Sequence, residues 1–182
     1  MPDLLTHYTL SYLIASRTTK PKQALLIAMV GLLPDIDVLL RIHRWITHSL
    51  ILTTMVGVAL TLMTLHLGQP YLKYMLTALT LYTTHIIMDL FTAATPILWP
   101  LTSNAYMINL ELTGTITGQR ITLTPIITVT MEQVDFTPKP VLEGPIITPL
   151  GAITALATTI IVLTEYITFK QKSKRGKNEI VK

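Results

Sequence analysis

The sequence contains no cysteine, and only 13% of its 182 residues are charged. The lack of cysteine excludes disulfide frameworks, thiolate zinc sites and cysteine nucleophiles, so histidine and carboxylate side chains are the strong metal ligands that remain. Hydrophobic residues make up 50% of the chain and the mean hydropathy is +0.53. Such a composition has too few polar side chains to cover a water-facing surface. This composition argues against a disordered chain and against a soluble enzyme. We therefore predict a membrane protein.

The basic excess of the chain is confined to its C-terminal end. Residues 170–182 contain six Lys or Arg residues and one Glu, so residues 1–169 carry eight basic and nine acidic groups. The pI of 9.4 is thus a property of the tail, and no nucleic-acid partner is expected for the body of the chain. We interpret the tail as a solvated cytoplasmic end. Binding to anionic lipid headgroups or to nucleic acid is the alternative for the tail itself.

Five uncharged apolar runs indicate helices, at residues 4–16, 23–34, 50–67, 74–88 and 146–164. The third and fifth are long enough to span a bilayer unaided. The first two predict shorter helices that either enter the membrane partway or pack against the spanning helices. The fourth is expected to continue past Asp89 toward Trp99. Threonine is frequent in these runs, where its hydroxyl can bond to a carbonyl one turn earlier and so remain tolerable in lipid.

The segment between Pro100 and Pro145 is rich in Thr, Pro and Gly, and its alternating stretches 106–112 and 121–131 predict short strands or a hairpin outside the membrane. The predicted fold is an all-α membrane protein, a polytopic bundle of about four to five helices with a small extracytoplasmic β-rich insertion. We divide this single membrane domain, residues 1–182, into a helical core with the metal site (1–99), the insertion (100–145), a C-terminal transmembrane helix (146–169) and the basic tail (170–182).

Lys and Arg residues favour the cytoplasmic side of membrane proteins, and their distribution predicts the topology. With the C-terminal tail in the cytoplasm, ten basic residues lie inside and four outside. The chain is then a multi-pass protein of the cell membrane, with membrane lipids as its surroundings and residues 35–49 and 100–145 on the extracytoplasmic side.

Under this topology, seven ionisable side chains reach the same outer level of the membrane. Ionisable groups beside transmembrane helices are costly, so each requires a partner, a water-filled cavity or a metal ion. The topology was derived without using the positions of these seven residues, so their shared depth is independent evidence that they form one site. A bound metal ion would explain why they lie together. The seven predicted ligands are His7, Asp35, Asp37, His43, His48, His85 and Asp89.

Local spacing within this group has both a metal-binding and a simpler interpretation. His85 and Asp89 are four residues apart on a helix and can bind one cation together; the alternative is a neutral core histidine bonded to a nearby aspartate. Asp35 and Asp37 follow Pro34, which predicts a helix break at that point. They can bridge metals or orient an attacking water, or simply cap a helix.

The stretch 43–49 adds two imidazoles, which suit Zn²⁺, while the carboxylates also allow Mn²⁺ or Fe²⁺. Taken alone, His7, His43 and His48 could be interfacial side chains. Arg44 could bind a phosphate oxygen, and Trp45 and Trp99 suggest an aromatic belt. Seven ligands exceed the need of one zinc ion, so either two metals bind or some residues act as supporting groups or general base.

As an ordered set, these motifs resemble a family of inner-membrane metal-dependent hydrolases, described as LexA-binding, over about residues 4–100. The elements are His7, Pro34-Asp35-Ile36-Asp37, His43-Arg44-Trp45-Ile46-Thr47-His48-Ser49 and His85-Ile86-Ile87-Met88-Asp89. The resemblance implies a multi-pass membrane protein with the seven predicted ligands at the family's motif positions. The chain departs from the family at Ala93-Ala94-Thr95, where members commonly have a glycine, and LexA binding is not carried over.

The first functional hypothesis is a hydrolase in which a metal-activated water attacks a phosphoester or lipid-like ester at the outer membrane face. Its metal ligands would be His7, His48, His85 and Asp89. Asp35 or Asp37 would bridge metals or act as general base. His43 would be a further ligand or a proton donor, and Arg44 would stabilise charge that develops on the substrate. The alternative is a non-catalytic scaffold with a structural metal site. A cation transporter needs ionisable groups at the bilayer midplane, and these runs contain too few.

Overall fold

The computed structural model describes residues 3–42, 44–118, 120–140 and 144–180. Its five α-helices are α1 (Leu4–Thr18), α2 (Pro21–Ile27), α3 (Leu50–Leu67), α4 (Gln69–Leu90) and α5 (Pro149–Ile180). Two 3₁₀ helices, η1 (Ala28–Leu40) and η2 (Ile46–His48), lie between α2 and α3. The strands β1 (Asn104–Thr117) and β2 (Arg120–Gln133) form one antiparallel hairpin. The predicted mostly helical fold with a small β-rich insertion is thus confirmed.

Three helical segments of the described chain are long and apolar enough to cross a membrane, fewer than the four to five helices predicted for the bundle. They are Pro21–Leu40, Leu50–Leu67 and Pro149–Phe169. The first, of 20 residues, is longer than the second apolar run at residues 23–34, for which a shorter helix was predicted. α2 continues directly into η1, whose 3₁₀ geometry rises about 2.0 Å per residue and so carries the segment further than an α-helix of equal length would.

The predicted helix break at Pro34 is wrong. Pro34 lies inside η1, and the helix continues to Leu40. The next residue, Arg41, adopts the left-handed backbone conformation with φ 59°. Proline has no N–H to donate and disfavours α geometry in the residue before it. In this chain the proline lies in a helix of 3₁₀ type, which continues past it and places Asp35 and Asp37 on its last turns.

The predicted continuation of the fourth helix toward Trp99 is also wrong. α4 ends at Leu90, one residue after Asp89. Beyond it the backbone of Thr95 pairs in extended conformation with Tyr106 of β1, through N···O distances of 2.9 and 3.0 Å in the two directions. Pro96 follows and has no N–H for a helix. This pairing attaches the hairpin to the end of α4.

Side-chain caps fix the ends of two helices on the same side of the bundle. Asp3 caps α1, accepting from the backbone N–H of Thr6 at 2.6 Å and also from the backbone N–H of Thr148, just before α5. Burial would raise the pKa of Asp3, but these hydrogen bonds lower it to about 2. Ser49 caps α3 by accepting from the N–H of Leu52 at 3.2 Å. Asp3 thus joins the start of α1 to the start of α5.

Threonine hydroxyls inside the helices bond to carbonyls one turn earlier, as the sequence predicted. Thr9 donates to the Leu5 carbonyl at 2.8 Å, and Thr61 to the Gly57 carbonyl at 2.7 Å. These bonds satisfy the hydroxyl within its own helix, so threonine can face lipid without an unpaired polar group.

Two glycines allow helices to pack closely. A Cβ at Gly31 of η1 would collide with the side chain of Ser11 on α1, and a Cβ at Gly57 of α3 would lie 2.6 Å from Leu79 Cδ1 on α4. The first contact brings the η1 backbone toward α1 and α4 next to the predicted metal site. The second lies along the α3–α4 pair, away from that site.

Candidate metal centre

Six of the seven predicted ligands lie in the described part of the chain, and the structure brings all six to one end of the helical bundle; His43 lies outside the described residues. The end is formed by the first turns of α1, the last turns of η1, η2 and the last turns of α4. The residues are His7 on α1, Asp35 and Asp37 on η1, His48 on η2, and His85 and Asp89 on α4.

Four of these residues offer ligand atoms that all lie within 4.8 Å of one another: Asp35, His48, His85 and Asp89. His48 Nε2 is 3.6 Å from Asp35 Oδ1 and 3.2 Å from Asp89 Oδ2, and His85 Nε2 is 3.4 and 3.7 Å from the same two oxygens. In a tetrahedral zinc site with bonds of about 2.0–2.1 Å, neighbouring ligand atoms are about 3.3 Å apart. The cluster therefore has the dimensions that a divalent cation needs.

The His48 ring is held from behind by Asp37. His48 Nδ1 is 3.1 Å from Asp37 Oδ2, which leaves Nε2 directed at Asp35 and Asp89. Burial would lower the pKa of His48, but hydrogen bonds to the three carboxylates raise it to about 10. A cation bound to Nε2 would thus replace a proton. An imidazole held by a carboxylate on its far nitrogen is the usual arrangement of a histidine metal ligand.

The His85 ring is held by a backbone carbonyl. Its Nδ1 lies 2.6 Å from the Gly31 carbonyl oxygen, which can only accept, so Nδ1 carries the hydrogen and Nε2 faces the cluster. Gly31 is a functional residue that the sequence analysis missed. Its signal was a glycine three residues before Pro34, at a position where a side chain would collide with Ser11.

Asp37, predicted as a metal ligand and catalytic carboxylate, is not in the four-residue cluster. Its Oδ2 accepts from the backbone N–H of Trp45 at 2.7 Å and from Thr47 Oγ1 at 2.8 Å, besides its contact with His48. Tyr82 of α4 in turn donates to the Thr47 carbonyl at 2.7 Å. Asp37 thus fixes the segment from Trp45 to His48 against η1, and α4 supports the same segment.

His7 and Arg44 both contact Asp89 from outside the four-residue cluster. His7 Nε2 is 3.4 Å from Asp89 Oδ1, and its ring stacks on that of His85 with centroids 3.7 Å apart. Arg44 donates from Nε to Asp89 Oδ2 at 3.1 Å and is itself 6% exposed. Arg44 has φ 60°, a left-handed backbone conformation that residues other than glycine rarely adopt. Asp89 is therefore held by an imidazole and a guanidinium at once.

Asp35 is the accessible member of the four-residue cluster. Its side chain is 18% exposed, whereas those of His48, His85 and Asp89 are at most 2% exposed. Trp45 lies at this end of the bundle with Trp99 and Phe136, at ring-centroid distances of 6.1 and 6.0 Å. Access to the cluster is therefore from the side of Asp35.

The sequence matches a known protein family. The sequence model of a family described as YdjM inner membrane protein matches residues 2–172. No curated protein and no solved structure matches the chain. The match covers α1 to α4, the hairpin, the candidate span of α5 and all the residues of the candidate metal centre. Together with the three candidate spans it assigns the chain to a membrane. The chain belongs to the YdjM inner membrane protein family.

Proposed function

We propose that this chain is a membrane-embedded, metal-dependent hydrolase that cleaves a phosphoester or lipid-like ester at the extracytoplasmic face of the membrane. The observation that carries the proposal is the convergence of Asp35, His48, His85 and Asp89, with both imidazoles oriented from behind. A group of this kind is costly to bury without a cation.

In this proposal His48, His85 and Asp89 hold the cation, because these are the three buried members of the cluster. Two imidazoles and a carboxylate suit Zn²⁺ best, and Mn²⁺ or Fe²⁺ remain compatible with the set. The bound cation would supply a water of lowered pKa.

Asp35 is then the general base. As the accessible carboxylate of the cluster, Asp35 can accept a proton from a water that enters from the open side. Arg44 acts as a positioning residue because it holds Asp89, and Asp37 does so because it holds His48. His7 positions Asp89 from the other oxygen.

A lipid-like substrate is supported by an apolar groove between η1, α3 and α4. The groove has a volume of about 510 Å³, and its lining includes Leu33, Leu52, Val56 and Leu60. It reaches Thr47, whose hydroxyl bonds to Asp37. A hydrocarbon chain in this groove would have its polar end near the metal centre.

The extracytoplasmic location is supported by the distribution of basic residues between the two ends of the bundle. Arg17, at the last turn of α1, pairs with Glu165 of α5 at the end opposite the metal centre. Lys20 and Lys22 follow α1, and Lys73 lies in the first turns of α4 at the same end. Six further Lys or Arg residues follow the α5 span, which ends at Phe169 on this side. Because Lys and Arg favour the cytoplasmic side, this excess supports a cytoplasmic location for this end and an extracytoplasmic location for the site.

The test is metal content and hydrolysis of the purified protein. We expect His85→Ala and Asp89→Ala to lose the bound metal, measured by mass spectrometry, and to lose hydrolysis of bis(p-nitrophenyl) phosphate and of phospholipid vesicles. Asp135→Asn, an exposed aspartate bonded to Thr137, is the matched control and should keep both. Unchanged metal content in both site variants would refute the assignment.

A structural metal site is the second candidate, favoured by the burial of three of the four ligands and by the fact that four protein ligands close a tetrahedral site. Asp35→Asn separates the two. If Asp35 is the general base, this variant keeps the metal and loses hydrolysis. If Asp35 is the fourth structural ligand, it loses metal and thermal stability together.

A further inference from the structure

The β-hairpin has one apolar and one polar face over its whole length. The register runs from Asn104↔Gln133 to Thr117↔Arg120, and directly paired residues project to the same face. One face is formed by the even-numbered residues 106–116 and the odd-numbered residues 121–131. None of these 12 residues is charged, and ten are hydrophobic or aromatic.

The opposite face contains the charges and most of the threonines. Glu111, Arg120 and Glu132 all lie on it, at odd positions of β1 and even positions of β2. The apolar face is nevertheless exposed in the described chain: Leu112 is 67% and Leu123 63% exposed. A contiguous apolar face of this kind marks an interaction surface.

The base of the hairpin, where β1 begins and β2 ends, lies at the level where the membrane spans end. Tyr106 pairs with Thr95, and the Leu50 N–H, at the first residue of a candidate span, bonds to the Ile97 carbonyl at 3.0 Å. After β2 the chain returns to α5, whose candidate span begins at Pro149. The hairpin base also adjoins the Trp45, Trp99 and Phe136 cluster, and aromatic residues are enriched at membrane interfaces.

We propose that the hairpin lies on the bilayer with its apolar face buried in the leaflet that borders the metal centre, and with its polar face in water. The hairpin would then add its apolar face to the apolar surface that the spans present to lipid. Open strand edges are not tolerated in the hydrocarbon core, so the hairpin lies at the interface, where water and headgroups satisfy its edges.

The position of the face favours lipid over a second copy of the chain. The hairpin is attached where two candidate spans begin, at Leu50 and Pro149. A bilayer is present wherever the spans end, whereas a second copy would have to bind there as well.

The experiment uses the absence of cysteine in the chain. The full chain with Leu123→Cys, labelled with an environment-sensitive fluorophore, is compared in lipid nanodiscs with Thr124→Cys, its neighbour on the polar face. Both positions are in the half of the hairpin distant from its base, so contact with lipid there requires the hairpin to lie along the membrane. Both side chains are exposed, so neither variant disturbs a buried contact.

We expect the label at position 123 to be quenched by nitroxide-bearing lipids and to show several-fold weaker quenching by aqueous iodide than the label at 124. Equal iodide quenching at both positions would overturn the proposal, because the hairpin would then project into water. Protection of 123 from iodide without quenching by lipid would overturn it as well. Disulfide cross-linking between two Leu123→Cys chains would in that case identify a second copy as the occupant.

Discussion

Replacing Asp37 with asparagine tests whether this carboxylate orients His48 or binds the metal itself. In the structure Asp37 Oδ2 lies 3.1 Å from His48 Nδ1, on the side of the ring away from the cluster. The asparagine oxygen can still accept from the N–H of Trp45 and from Thr47, so the local fold should persist. The lost negative charge weakens the hold on the His48 ring and lowers the basicity of Nε2.

Removing such an outer partner of a histidine ligand costs about 10–100-fold in metal affinity, which corresponds to about 1.4–2.7 kcal/mol. The assay is competition between the purified protein and a chromophoric zinc chelator in detergent at pH 7. His48→Ala should abolish the high-affinity binding altogether, and Asp135→Asn, at an exposed position outside the site, should leave it unchanged.

Two results would refute this reasoning. An affinity within about twofold of the unsubstituted protein would mean that the Asp37 contact does not orient His48. A loss as complete as that of His48→Ala would mean that Asp37 is a ligand, as the sequence analysis first assigned it. A loss of zinc affinity between these two results would identify Asp37 as a residue that orients His48 without binding the metal.

Three further predictions follow from other parts of the structure. Gly31→Ala should lower zinc affinity about 10–100-fold in the same assay, because the added methyl group displaces the Gly31 carbonyl that orients His85. Gly57→Ala is the control and should lower thermal stability with little effect on zinc affinity. Equal effects of the two substitutions on affinity would contradict this reasoning. Asp3→Asn should destabilise by about 1 kcal/mol above pH 4, the usual value of a helix cap. The difference should vanish as the pH falls toward 2, because a carboxyl whose pKa is lowered to about 2 stabilises the fold only while ionised; thermal melts across this range would show it, and a constant difference would not fit. A membrane-impermeant maleimide should label Lys139→Cys in intact cells and Lys73→Cys only after permeabilisation, and the reverse pattern would invert the proposed orientation.

The sequence predicted the parts of the fold that depend on composition and on side-chain type. Hydropathy predicted the spans that begin at Leu50 and near Pro149, and alternation predicted the hairpin. It did not predict that η1 continues through Pro34 or that α4 ends at Leu90. The first depends on a change of helix type. The second depends on the backbone pairing of Thr95 with Tyr106 of a distant strand, although Pro96 is a local sign that the helix does not reach Trp99.

The same distinction separates the two carboxylates of the Asp-Ile-Asp motif. As residue types at neighbouring positions they have identical ligand chemistry, so sequence reasoning gave both the same roles. In the structure Asp35 faces the two imidazole Nε2 atoms, while Asp37 faces the far side of one ring. Only the path of the chain after η1, which places Trp45 and Thr47 against Asp37, assigns one carboxylate to the cluster and the other to its support.

The charge of the site argues for one divalent cation. Within the described part of the chain, the carboxylates of Asp35, Asp37 and Asp89 meet one guanidinium, that of Arg44, at the site. A cation bound to Nε2 replaces the proton of His48, so with both imidazoles neutral this set carries a charge of −2. A buried cluster is stable when its charges are paired, and one divalent ion brings the sum to zero. Two such ions would leave +2 in a nearly dry site, so a second ion would have to bring its own anions.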